Sequence, residues 1–376
     1  MNRKQYIRGL SAACLLAVPL TLSGCNWFGS ESAAVDPPPS EVEAQMLQIS
    51  GDSTLDSGVM GRVTEEDTGN VASKDKKASA KADGPRTTVY LEDEHGLLAP
   101  ISLALPKGDK NDKDATLKNS LTALVSKGPL AASLPTGFQG VLPAGTAVKN
   151  VTVDAATGLA VVEFNDSFGS YEARDERKLL EAVTWTLTGQ DNIKGVQLWV
   201  DGKKLTEMPL KGTPLDRPLS RTMGINLPKH STNVMNSSAV TVYFSAESPD
   251  GTQYYVPVTR FVDPAQEPLK AALNELITGP ESDNGLQMVM TEGTKLDSVD
   301  AGQNGVVTVS LSDDMFADAK DVPAEMLESV VLTVAQNTED SLVQIVMNGK
   351  TAVTGTDHVD YGKPVSAPEY VNDLPL

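Results

Sequence analysis

From Thr87 onward, the apolar and polar positions of the chain follow one pattern twice. Strand-like Thr88-Val89-Tyr90-Leu91 returns as Thr241-Val242-Tyr243-Phe244, and Pro100-Ile101 returns as Pro257-Val258. Leu117, Leu121, Leu124 and Val125 return as Leu269, Leu273, Leu276 and Ile277. That i, i+4, i+7, i+8 spacing is the apolar stripe of a helix with one buried face. Both helices are expected to stop at a Gly-Pro pair, Gly128-Pro129 and Gly279-Pro280. Gly takes the left-handed conformation past a helix end, and Pro cannot continue the helix.

Further on, Gly145-Thr146-x-Val148-x-x-Val151 returns as Gly293-Thr294-x-Leu296-x-x-Val299. Residues 158–203 then match 305–350 at a constant offset of 147 without a gap. Leu179, Leu180, Val183 and Leu187 pair with Met326, Leu327, Val330 and Val334, a second helical stripe. The runs Leu159–Phe164 and Val306–Leu311 are β-rich, and the last strands of the two copies end in Asp-Gly and Asn-Gly turns. Each copy thus reads strand, strand, helix, strand, strand, helix, strand. The expected fold class is α+β: two tandem ββαββαβ domains, with both helices packed on one sheet face. The expected boundaries are 87–209 and 239–350, with a linker at 210–238 and an irregular tail at 351–376.

The N-terminal pattern is of another kind. Arg3, Lys4 and Arg8 precede an apolar run from Leu10 to Leu22, then Leu22-Ser23-Gly24-Cys25. Basic start, short apolar core and small residues make a secretory signal, expected over 1–24. About 13 apolar residues are too few to span a hydrocarbon core of ~30 Å as a helix. Cys after Leu-Ser-Gly is similar to the lipobox of bacterial lipoproteins. That resemblance implies diacylglyceryl attachment at Cys25 and a mature chain beginning there. Residues 25–86, with Pro37-Pro38-Pro39 and scattered Gly, Ser and Asp, read as a lipidated, mostly disordered tether.

Charge and composition narrow the chemistry. The chain holds 31 basic and 50 acidic residues; without the three basic residues of the signal, its net charge is −22. Such a surface repels nucleic acid and anionic headgroups, so membrane attachment is left to the lipid. The two cysteines are Cys14, in the signal, and Cys25, so the mature chain has no free thiol for a disulfide, a zinc site or a nucleophile. His95, His230 and His358 are far apart and give no metal-ligand spacing.

Three segments are candidates for chemistry, each with a plainer alternative. Gly51-Asp52-Ser53-Thr54-Leu55 is similar to the nucleophile block of GDSL-type hydrolases. A serine nucleophile needs an oriented imidazole. That family's Asp-x-x-His is replaced here by adjacent Asp357-His358, and Ser53 lies in the tether, so a polar turn is the plainer reading. Asp109–Asp114 has an EF-hand flavour, but Lys113 and Ser120 stand where ligands belong, and capping of the helix near Ala115 is expected instead. Asp166 and Asp313-Asp314, at strand-to-helix turns, read as turn and cap residues. Trp185 and Trp199, opposite Leu332 and Val346 in the second copy, read as packing residues, as do Tyr90 and Tyr243. No catalytic, metal or cofactor site is expected.

The paired motifs together resemble the GerMN (Germane) domain family over residues 87–350. They comprise a Val-Tyr-Leu/Phe first strand, a helix closing in Gly-Pro, then Gly-Thr-x-x-x-Val (Gly-Thr-x-x-x-x-Val as spaced here). A Gly-led apolar strand, an acidic turn, a Leu-rich helix and a last strand ending in Gly-Lys follow. The resemblance implies a fold like the ring-building motifs of secretion systems and a role in sporulation or spore germination. It further implies protein partners in a channel or ring complex between mother cell and forespore, with a homo-oligomer as one form of assembly. The competing reading is an extracytoplasmic solute- or cell-wall-binding lipoprotein, which needs a cleft with convergent polar and aromatic groups. Aromatic residues are only 5% of the chain, which tells against it.

Overall fold

The computed structural model describes residues 86–106, 114–228, 236–281, 284–302, 304–338 and 342–374. Repeat one runs β1 (Arg86–Glu92), β2 (Leu98–Ala104), α1 (Ala115–Ala123), β3 (Val148–Asp154), β4 (Leu159–Phe164), α2 (Glu176–Thr188), β5 (Gly195–Val200) and a short β6 (Lys203–Lys204). Repeat two runs β7 (Ser238–Glu247), β8 (Gln253–Val262), α3 (Pro268–Thr278), β9 (Lys295–Ala301), β10 (Val306–Ser312), α4 (Ala324–Asn337) and β11 (Leu342–Met347). The α+β order expected from the pattern occurs twice.

The strands of a repeat do not join into one sheet. β1 and β2 form an antiparallel hairpin, while β3-β4-β5-β6 form a separate sheet; repeat two has the β7-β8 hairpin and the sheet β9-β10-β11. β4 with β5 and β10 with β11 are parallel pairs, and each is joined through a helix, because parallel neighbours need a long crossover. Along β4, Ala160, Val162 and Phe164 are buried while alternate residues are half-exposed. β10 buries Val307, Val309 and Leu311 in the same way. Period-two burial leaves one face of each larger sheet on the core and the other open.

The second helix of each copy supplies much of the core. Leu179, Leu180, Val183 and Leu187 of α2 are buried, as are Met326, Leu327, Val330 and Val334 of α4, so the two stripes occupy equivalent positions. These helices also cover a strand edge. The Tyr90 N–H donates to Thr186 Oγ1 at 2.9 Å, and the Tyr243 N–H donates to Thr333 Oγ1 at 3.1 Å. The two threonines stand 147 positions apart, matching the sequence offset.

The first helices differ from expectation in one copy. α3 ends at Thr278 with Gly279 at φ 90°, as the Gly-Pro signal predicts. α1 ends at Ala123, short of Gly128. Its exit is pulled straight by pairing: Leu142 N–H donates to the Leu124 carbonyl and Ser126 N–H to the Leu142 carbonyl, both at 2.8 Å. A tertiary pairing thus overrides the local stop signal.

Among their described residues, the stretches expected as linker and irregular tail hold no long strand or helix, yet both pack. Leu219 bridges Val196 of β5, and Val365 bridges Val343 of β11. Leu215, Ile225, Val353 and Tyr361 are buried. Beyond these bridges, Ile225-Asn226 and Val371-Asn372 reach a seam where β2 and β8 lie side by side. Direct pairing there is hindered by Pro100 and Pro257, which lack an N–H. The asparagines fill the gap. Asn226 accepts from Leu98 N–H and donates to the Leu98 and Pro257 carbonyls, each at 2.8 Å. Asn372 accepts from Tyr255 N–H and donates to the Tyr255 and Pro100 carbonyls, at 2.7, 2.7 and 2.8 Å. Since Pro100 corresponds to Pro257, the two bridges are related by a pseudo-two-fold. Both asparagines sit at positive φ, 50° and 56°, a conformation that this residue type tolerates. Repeat-two residues Ala246, Tyr254 and Val256 belong to the repeat-one core, as does Leu374.

Candidate functional site

Those of the residues singled out for chemistry that the structure describes do not assemble. Cys25, Asp52, Ser53, His230 and 109–113 lie outside the described residues. His358 is exposed on a tight turn, its N–H donating to the Gly355 carbonyl at 2.9 Å. Its neighbour Asp357 is occupied elsewhere, accepting from Val359 N–H at 3.1 Å and the Tyr361 hydroxyl at 2.8 Å. Asp313 is buried, and its Oδ2 accepts from the hydroxyls of Thr291 and Thr294. Its Oδ1 accepts from Met315 N–H at 2.9 Å, capping the 3₁₀ turn Asp314–Phe316. Burial opposes ionisation, but the Thr291, Thr294 and Met315 hydrogen bonds hold its pKa below the usual carboxylate value. In repeat one the turn Asp166–Gly169 follows Asn165, which accepts from Ala147 N–H, and Asp166 is exposed. Asp114 takes the position before α1, though its side chain makes no capping hydrogen bond. Among the described residues no three His, Cys, Asp or Glu side chains are placed to hold a metal.

Trp185 and Trp199, read alike from the sequence, have different environments. Trp185 is fully buried, with its ring edge-on to Tyr90 at 5.5 Å, its Nε1–H donating to the Gly224 carbonyl at 3.0 Å, and the Arg221 guanidinium 4.5 Å from its centroid. Trp199 lies half-exposed on the open face of the β3–β6 sheet, donating to Gln197 Oε1 at 3.2 Å. We expect Trp185→Ala to cost about 3–5 kcal/mol and Trp199→Ala about 1 kcal/mol or less. Urea unfolding of the two variants checks the contrast.

Three buried carboxylates escaped the pattern reading. Glu176 accepts from the Thr213 and Tyr171 hydroxyls and from Lys211 N–H, tying the stretch after β6 to the start of α2. Burial raises its pKa, and these donors more than offset that, leaving it below the ordinary value. Glu181 accepts from Arg177 Nε at 2.6 Å and from Asn226 N–H at 3.1 Å, anchoring one side of the seam. Asp93 accepts from His95 and Leu97 N–H and from the Tyr254 hydroxyl of repeat two. No sequence motif marks them; each earns its burial from partners distant in the chain.

Burial pushes the Asp93 carboxyl above its ordinary pKa, against those hydrogen bonds. A carboxyl raised on folding stabilises the fold while protonated, and this contribution is lost as pH rises through the folded pKa. Asp93→Asn keeps an acceptor and removes the charge. Its Tm relative to the parent should therefore climb as pH rises from the ordinary carboxylate range towards neutrality. Melting curves across that range check the sign.

A polar groove and the sheet edges are accessible among the described residues. The groove in repeat one is lined by Glu92, Gln139, Tyr171, Arg174 and Lys178. Its inner charges satisfy one another: Lys178 pairs with Glu92, which also accepts from Gln139 at 3.2 Å. β3 and the two-residue β6 end one of the larger sheets, and β9 and β11 end the other, where the tail pairs with β11 through Val365 and Tyr361.

The duplicated fold matches known proteins. The Germane family, described as sporulation and spore germination, matches residues 88–206 and 241–353. The chain belongs to the Germane family. It is 36% identical to the spore germination protein GerM of Bacillus subtilis (strain 168), over 96% of this chain and 97% of that one. It is also similar to the solved tandem GerMN domains of the sporulation protein GerM from Bacillus subtilis, with a TM-score of 0.69, 36% identity, and coverage of 77% of this chain and 99% of that one. The tandem Germane repeats place the chain among proteins of sporulation and spore germination.

Proposed function

We propose that the chain is a non-enzymatic, lipid-anchored lipoprotein of the extracytoplasmic membrane face. It serves as an assembly module for a sporulation envelope complex between mother cell and forespore. Cys25 carries the lipid, and protein partners of a channel or ring complex dock on exposed sheet edges. The observation carrying this reading is that each repeat buries its polar clusters as caps and ties while a seven-residue strand, β3 or β9, ends its larger sheet. Open edges present unpaired N–H and C=O groups that add strands readily. Solute or cell-wall binding has less support, since the groove's inner charges are already paired.

Complementation of a strain lacking the gene tests the proposal. Ser53→Ala, His358→Ala and Asp313→Asn should each restore spore yield; Asn165 already fills the equivalent turn in repeat one. Thr152→Lys combined with Ala301→Lys, one on each open edge, should lower it about tenfold or more, because a new charge blocks strand addition. Loss of function in Ser53→Ala at normal protein level would replace the assembly reading with a hydrolase.

A further inference from the structure

The two repeats share a fold but not an electrostatic character. Residues 86–240 hold 17 basic and 17 acidic side chains, whereas 241–376 hold 6 basic and 22 acidic, a net charge of 0 against −16. Nothing in the shared fold demands this, since repeat one builds the same elements with balanced charge. A concentrated single-sign field disfavours the compact state by self-repulsion and steers partners of opposite sign.

Part of that charge surrounds an open edge. Glu292, Asp297 and Asp300 lie exposed on or just before β9, and Glu267 is exposed at the start of α3, which packs beside β9. Lys270 and Lys295 are the opposing cations. Among the described residues none of these four carboxylates forms an ion pair; Asp297 and Asp300 accept only hydroxyls, from Ser312 at 2.9 Å and Ser298 at 3.1 Å. In repeat one, β3 itself carries one cation and one anion, Lys149 and Asp154, and Lys149 pairs with Asp201.

We infer that β9 of repeat two docks a cationic, strand-forming segment of a partner protein, and that β3 does not. This deepens the assembly reading and rests on it. The open edge supplies main-chain hydrogen bonds, which hold any extended strand. The surrounding carboxylates supply the selection, favouring lysine- or arginine-bearing strands and repelling anionic ones. A second copy of the chain is a poor occupant, because its own edges are acidic or neutral.

The first test uses the full chain in detergent and a peptide of alternating valine and lysine, read by amide hydrogen exchange and titration. The peptide should slow exchange in β9 and leave β3 unchanged. A proline-interrupted peptide of equal charge should bind about tenfold more weakly or worse, because it cannot form a strand. Asp297→Lys with Asp300→Lys should weaken binding by a similar factor, as should raising the salt to about 1 M. Equal protection of β3, equal binding by the interrupted peptide, or no protection of β9 would overturn the inference.

The second test separates this inference from the assembly reading. In complementation, Asp297→Lys with Asp300→Lys should reduce spore yield about as much as the two-edge variant, since charge reversal repels a cationic partner. Normal yield from this variant, with loss from the two-edge variant, would discard the β9 inference and leave assembly standing. Normal yield from both would discard both.

Discussion

Asn226→Ala and Asn372→Ala should each destabilise the folded chain by about 2–3 kcal/mol, because each strands peptide groups of β2 and β8 without partners. Every one of these side chains makes three hydrogen bonds, and no neighbour stands ready to replace them. Pro100 and Pro257 prevent the strands from closing the gap themselves. The tail also brings Asp373 to Arg86 and the Val371 carbonyl to the Ser102 hydroxyl at 2.8 Å. Truncation before Tyr370 should therefore cost at least as much as Asn372→Ala. Asn150→Ala, on exposed β3, should change stability by about 0.5 kcal/mol or less. Urea unfolding of the set checks the ranking, and equal midpoints for Asn150→Ala and Asn372→Ala would show that the seam contributes little.

Cys25→Ala should move the protein from the membrane fraction to the soluble extracytoplasmic fraction almost completely. A diacylglyceryl group supplies two acyl chains at ~0.8 kcal/mol per buried CH₂, enough for stable anchoring. Among the described residues no helix is long and apolar enough to cross a membrane, and the charge of −22 outside the proposed signal repels anionic headgroups. Fractionation with high-salt and carbonate washes gives the answer. Retention of the variant on washed membranes would remove the lipid from the account.

The sequence by itself determined the number of copies, the order of their elements and the buried face of each helix. Those properties are written in local periodicity: Leu179, Leu180, Val183 and Leu187 must share a face wherever the helix lies. Tertiary structure alone decided the rest. The ββαββαβ order does not say that β1-β2 and β3-β4-β5 are separate sheets. It does not say that Leu142 draws α1 to an early end, or that Trp185 is buried while Trp199 faces outward. The seam is the clearest case. Ile225-Asn226-Leu227-Pro228 and Val371-Asn372-Asp373-Leu374-Pro375 echo each other faintly, but in stretches that otherwise read as linker and tail. Their role depends on two prolines that line one seam only when the hairpins of both repeats lie side by side. A contact between residues 128 and 272 positions apart leaves no local pattern, because its hydrogen bonds are specified by where the strands come to rest.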